Sequence, residues 1–246
     1  GGGAAGIACL NQLLSLGMKR ENVILCDHKG VGFKGRTEDM TDQKAEYAAD
    51  TKARTLAEAI PGADVFLGLS APGVLTPEMV KAMAKQPFIL ALANPEPEIR
   101  PEVARAAVPD AIIATGRSDY PNQVNNVLCF PYIFRGALDC GATTINEEMK
   151  TACVEAIARL ARGASSDVVS AAYGGDQLRF GADYLIPKPF DPRLVSEIAP
   201  AVAKAAMESG VATRPIADLV AYQERLQQFV YRTAFVMKPK IGRAHL

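Results

Sequence analysis

The chain has 246 residues, 49% of them hydrophobic and 22% charged, enough to bury a large core as one long domain or as a domain with an appendage. Lysine plus arginine equals aspartate plus glutamate at 27 each, so no net field favours nucleic acid or an anionic membrane, and no apolar run reaches the ~18 residues of a spanning helix. Five scattered cysteines without CxxC spacing point to free thiols in a reducing, cytoplasmic compartment, and two histidines, His28 and His245, argue against a histidine-based zinc site.

Gly1-Gly2-Gly3-Ala4-Ala5-Gly6 fits GxGxxG and runs into a helical stretch from Ile7 to Leu14. The first glycine of that pattern permits a tight turn, the second lets backbone approach phosphate, and the third lets helix pack on strand. Free N–H groups of the turn, those of Ala4 and Ala5 included, suit a dinucleotide pyrophosphate. The pattern belongs after a strand, so the chain reads either as a fragment or as one carrying added glycines. Val23 to Cys26 reads as a strand ending at Asp27, Thr41 or Asp42 as the cap of a helix through Ala49, and Thr55 to Ile60 as another short helix. Asp64 to Ser70 predicts a strand, and Thr76-Pro77-Glu78 opens a helix with cap, first-turn proline and acid in order. Pro87 to Ala93 reads as a buried strand, Pro101 to Ala107 as a helix and Ala111 to Ala114 as a short strand.

This alternation predicts an α/β fold, a Rossmann-type doubly wound and mostly parallel sheet with helices on both faces. Thr115 to Asn126 is a polar segment long enough for a functional loop. Helices are expected near 130–138, 145–162, 192–209 and 215–233, with irregular surface chain over 171–189. The last helix would dock onto a neighbouring domain or subunit, or close its own core. The expected division is a dinucleotide-binding domain over 1–210 and a C-terminal helical extension over 211–246.

Asp27 lies about 20 residues past the glycines, where an acid binds the adenosine ribose, unless it is only a turn aspartate. An acid there favours NAD, whereas Lys29, Arg36 and Lys44 are near enough in sequence to hold a 2′-phosphate. Ser70, Ala71 and Asn94 stand at carboxyl ends of strands, the edge where open α/β sheets bind ligands, although Asn before Pro also forms turns. The amides of Asn125 and Asn126 can address a carboxylate or a nicotinamide, or cap a helix.

Four segments together resemble the cofactor-binding half of malic enzyme: Gly3 to Ala8, Lys34-Gly35-Arg36, Ala91 to Pro97, and Thr115 to Asn126. With Ile186 to Pro192 and Ala212 to Ile216, the resemblance covers nearly the whole chain and looks like the bacterial multimodular type, in which a phosphotransacetylase-like domain follows. It implies oxidative decarboxylation of malate to pyruvate and CO2 with NADP, or alternatively NAD. Gly1, Gly3 and Gly6 would hold the pyrophosphate and Asp27 the ribose. Lys44 would sit near the 2′-phosphate, and Asn94 and Asn126 would contact malate or the nicotinamide side. The resemblance places the lysine base, tyrosine acid and acidic ligands for Mg²⁺ or Mn²⁺ before the glycine turn, so the fragment is expected to be inactive alone. It also implies a homo-oligomer. A nucleotide-responsive assembly module and a different Rossmann dehydrogenase are the competing readings.

Overall fold

The computed structural model describes residues 1–163 and 178–241, with side chains through 230. His245 and residues 171–177 of the expected irregular segment lie outside the described residues. The chain divides into two compact units, Gly1–Val124 and Asn125–Leu246, a boundary earlier than position 210.

In the first unit the glycine turn leads directly into α1 (Ala4–Ser15), three residues earlier than the apolar pattern starts. The strand expected over 23–26 is reduced to β1 (Cys26–Asp27), which pairs antiparallel with β2 (Gly30–Val31) in a tight hairpin. Val23 is extended, but no ladder partner for it occurs among the described residues. Two one-turn helices follow, α2 (Asp42–Ala45) and α3 (Leu56–Ala59). Thr41 caps α2, and Thr55 with Glu58 forms a reciprocal capping box on α3.

The rest of this unit is a β–α–β–α–β run: β3 (Val65–Gly68), α4 (Pro77–Ala82), β4 (Phe88–Ala91), α5 (Pro101–Ala107) and β5 (Ile112–Thr115). The strands pair in parallel in the order β3-β4-β5, with Val65 opposite Phe88 and Phe88 opposite Ile112. Ile89, Ala91 and Ile113 point into a core shared with Phe66, Val80 and Ala104, while Phe88 and Leu90 on the other face of β4 are half-buried. Parallel register brings the ends of all three strands, Gly68, Ala91 and Thr115, to one edge.

The second unit is helical: α6 (Phe130–Asp139), α7 (Glu147–Arg162), α8 (Arg193–Glu208) and α9 (Leu219–Ile241). Ile133, Met149, Cys153, Leu194, Ile198, Val202 and Leu226 are buried together, the inward stripes of these helices. At Gly136 a Cβ would overlap the Ala199 carbonyl oxygen, so glycine is what lets α6 approach α8. Tyr222 and Leu226 show that the last helix contributes to this unit's own core. All five cysteines are free thiols, with Cys129 and Cys153 Sγ atoms in contact at 3.2 Å.

Candidate functional site

Each glycine of the turn answers a different steric demand. A Cβ at Gly1 would overlap the Leu69 carbonyl oxygen and come within 3.3 Å of Ser70 Cβ, just past the end of β3. At Gly6 it would overlap the carbonyl oxygen of Gly1, so the helix can begin against the turn only without a side chain there. Gly2, which the fingerprint leaves unspecified, is buried with its Cβ position 2.9 Å from Asp27 Cβ. Gly3 is different: nothing of the protein lies within 4 Å of its Cβ position, and its backbone is ordinary extended chain. It is the N-cap of α1 with no side-chain cap, and Ala4 and Ala5 beside it are exposed. The open side of the turn therefore lies at a helix N-terminus, where uncapped N–H groups and the helix dipole favour an anion.

Asp27 lies on one side of this turn. Its carboxylate accepts two hydrogen bonds from Arg36 Nη2, both 2.8 Å, one from Lys44 Nζ at 2.9 Å and one from the Lys29 backbone N–H at 2.9 Å. Burial works to raise its pKa, but the bonds from Lys44, Arg36 and the Lys29 N–H outweigh that and hold it at about 2. Lys44 also reaches Asp39 Oδ2 at 2.6 Å, and Lys29 Nζ pairs with Glu38 at 2.5 Å. Of the basic residues singled out by sequence, Arg36 and Lys44 bring their charged groups to Asp27, whereas Lys29 reaches it only through its backbone N–H and turns its ammonium to Glu38.

Ser70 lies on the other side. Ser70 and Ala71 are exposed beyond β3, and Asn94 is exposed beyond β4 with a cis peptide to Pro95. The Asn94 side chain makes no hydrogen bond among the described residues and stands against Gly116, whose Cβ position is 3.0 Å from Asn94 Oδ1. Arg117 joins Glu96 at 3.0 Å and Asp119 at 2.7 Å, and Asn122 Nδ2 donates to the Ile113 carbonyl at 3.0 Å, so the polar segment after β5 is pinned to the strand edge. Asn126 begins a 3-10 turn in the second unit, exposed, while Asn125 is the capping residue, accepting from Val127 N at 3.0 Å.

Two residues escaped sequence reasoning. Gly2 carries no signal of its own within three consecutive glycines. Glu98 is fully buried, accepting from Ser70 N at 2.8 Å and Ala93 N at 3.0 Å, and its only sequence sign is an acid in the Asn94-Pro95-Glu96-Pro97-Glu98-Ile99 run that ends a buried strand.

Residues 1–170 match the family described as malic enzyme, NAD binding domain. The chain belongs to the malic enzyme family. It is 66% identical over 245 residues to the NADP-dependent malic enzyme of Haemophilus influenzae, covering 99% of this chain and 32% of that protein. It is 64% identical over 244 residues to the NAD-dependent malic enzyme of Rhizobium meliloti, covering 99% and 32%. The crystal structure of Entamoeba histolytica malic enzyme superposes with a TM-score of 0.81 at 30% identity over 98% of this chain and 49% of that one. The malic enzyme chain described here therefore spans about a third of the length of these curated relatives. Its α/β architecture with a parallel sheet is that of the family's NAD-binding domain.

Proposed function

We propose that this chain is the cofactor-binding part of an enzyme that converts malate and NADP⁺ to pyruvate, CO2 and NADPH, with NAD⁺ as the alternative acceptor. The observation that carries the proposal is the glycine turn. Its one sterically open glycine, Gly3, lies at the uncapped start of α1, and the Cβ positions of Gly2 and Gly1 abut Asp27 and Ser70 respectively. A pyrophosphate fits that cradle, held by N–H groups at Gly3, Ala4, Ala5 and Gly6, with adenosine toward Asp27 and nicotinamide toward Ser70, Ala71 and Asn94. The bound dinucleotide supplies the hydride acceptor. Asn94 orients malate or the nicotinamide by hydrogen bonds without adding a titrating group, and the family resemblance assigns Asn126 the same kind of contact. The side chains of Arg36 and Lys44 meet at the Asp27 carboxylate, and they are the cations available there to receive a 2′-phosphate, with Lys29 nearby on Glu38.

Among the described residues, Asp27, His28 and Asp39 form the one acidic cluster compact enough to suggest a metal. It does not fit Mg²⁺ or Mn²⁺, because Arg36 and Lys44 already occupy the Asp27 carboxylate. On this reading the metal ligands, base and acid belong to the other two-thirds of the full-length protein, as does a phosphotransacetylase-like domain. The proposed setting is a cytoplasmic homo-oligomer; no helix among the described residues is long and apolar enough to cross a membrane. Residues 1–210 form the proposed cofactor domain and 211–246 its extension, with the division at Val124 internal to the former.

Malate-dependent formation of reduced nicotinamide by the full-length protein tests the reading, with NADP⁺ and NAD⁺ compared. Lys44→Ala is expected to raise the Kd for NADP⁺ about tenfold, the loss of one charge-assisted contact, and to leave that for NAD⁺ nearly unchanged. Equal loss for both dinucleotides would overturn the assignment of Lys44, and absence of malate oxidation would overturn the function.

A further inference from the structure

Glu98 is fully buried, and no side-chain ion pair to it occurs among the described residues. A carboxyl group buried in such a place needs hydrogen-bond donors to replace its water. Those donors are the backbone N–H of Ser70 at 2.8 Å, the Ser70 hydroxyl at 3.3 Å and the backbone N–H of Ala93 at 3.0 Å. Ser70 lies two residues past β3, and Ala93 two past β4, so one side chain ties together the carboxyl ends of two adjacent parallel strands. The main chain adds to the tie: Leu75 N donates to the Glu98 carbonyl at 3.2 Å and Gly73 N to the Pro97 carbonyl at 3.4 Å. Gly68 makes room, since a Cβ there would lie 2.5 Å from Glu98 Cδ.

The residues held this way are the ones on the far side of the glycine turn from Asp27. The Cβ position of Gly2 is 2.9 Å from Asp27 Cβ, whereas that of Gly1 is 3.3 Å from Ser70 Cβ. A dinucleotide whose pyrophosphate sits on the turn therefore has its halves on opposite sides, and only the Ser70 and Asn94 side is fixed by Glu98. We propose that Glu98 is a positioning residue for the nicotinamide half of the cofactor site: it holds Ser70 and the Ala93–Asn94 turn in place and touches neither cofactor nor substrate itself. This inference rests on the dinucleotide-binding reading given above.

The split between the two halves makes it testable. In the full-length protein, Glu98→Gln replaces one acceptor oxygen by an NH₂ facing a backbone N–H. Glu98→Asp keeps the carboxyl group and shortens the reach. Calorimetry would compare NADP⁺ with adenosine 2′,5′-bisphosphate, which probes only the Asp27 side, well below each variant's melting temperature and with stoichiometry counting the folded fraction. Glu98→Gln is expected to weaken NADP⁺ about tenfold, as expected when a buried backbone N–H loses its acceptor, and to leave the bisphosphate within about twofold. Glu98→Asp, the variant to rely on if the glutamine protein does not fold, is expected to show the same split with a smaller loss. Equal weakening of both ligands, or a lower melting temperature with neither affinity changed, would reduce Glu98 to a structural role and overturn the proposal. Failure of the wild-type protein to bind either ligand would instead remove the dinucleotide reading, and the proposal with it.

Discussion

Gly3 and Gly6 belong to one turn, yet the protein itself constrains only the second. A methyl at Gly6 meets the Gly1 carbonyl, and something in the backbone must move; a methyl at Gly3 meets nothing, and its φ of −83° with ψ of −176° suits any residue. The two alanine variants are therefore expected to separate folding from binding. Gly6→Ala is expected to lower stability by about 2 kcal/mol, the range for inserting a methyl where there is no room. Gly3→Ala is expected to leave the melting temperature close to wild type while weakening dinucleotide binding, because the added Cβ occupies the space through which phosphate approaches backbone N–H. Thermal denaturation and calorimetry on the pair check this. A Gly3→Ala protein that binds as wild type would mean that phosphate does not approach at that residue.

At the scale of elements, what could be read from the sequence was what is encoded locally. Thr76-Pro77-Glu78 carries its own start signal, and α4 begins at Pro77; Pro101 to Ala107 is a helix over the residues its pattern indicates. The apolar run before Asn94 is a central strand because both its edges are paired, with β3 on one side and β5 on the other. The hairpin at Asp27 was not legible as such, since β1 is defined by pairing rather than by the Val-Ile-Leu-Cys composition that suggests a longer strand. The environments of Lys44 and Glu98 were not legible either. Each is set by a partner far along the chain, 17 residues away for Lys44 and Asp27 and 28 for Glu98 and Ser70, and no local rule supplies those pairings.

The Asp27 cluster joins the hairpin to Arg36 in the following loop and to Lys44 on α2, and its pH dependence follows from the sign of the shift. The folded carboxyl titrates at about 2, below its ordinary value of 3.8, so the stabilisation is complete above the ordinary value and disappears as pH falls through 2. The side chain is 7% exposed, so solvent screening is small, and the shift corresponds to about 2 kcal/mol at neutral pH. Urea denaturation of wild type and Asp27→Asn is expected to differ by at least about 2 kcal/mol at pH ~7, with the difference narrowed by roughly 1 kcal/mol at pH ~3. A difference independent of pH would mean that the carboxylate is not held down by these cations.

For the molecule as a whole, the decisive feature is that the two larger hydrophobic cores, beside a small cluster of Leu10, Leu25 and Tyr47, share no buried residue among the described residues. One is built on β4 and its neighbours through Ile89, Ala91 and Ile113; the other consists of the facing stripes of α6 to α9, centred on Ile198 and Val202. Each core supplies its own apolar burial, so a cavity in one removes stabilisation from that unit first. Ile198 has no exposed surface and lies among buried side chains of the helical unit, and truncating it to alanine is expected to cost about 3 kcal/mol. Hydrogen exchange localises the loss: amides of α7 and α8 are expected to exchange roughly a hundredfold faster in Ile198→Ala, as a cost of that size converts at about 1.4 kcal/mol per tenfold. Amides of β4, whose ladder bonds belong to the other core, are expected to keep their protection. Equal acceleration in both sets would show that the helices and the sheet open as one cooperative unit, and the strand ends that carry Ser70 and Asn94 would then depend on the helical unit for their stability.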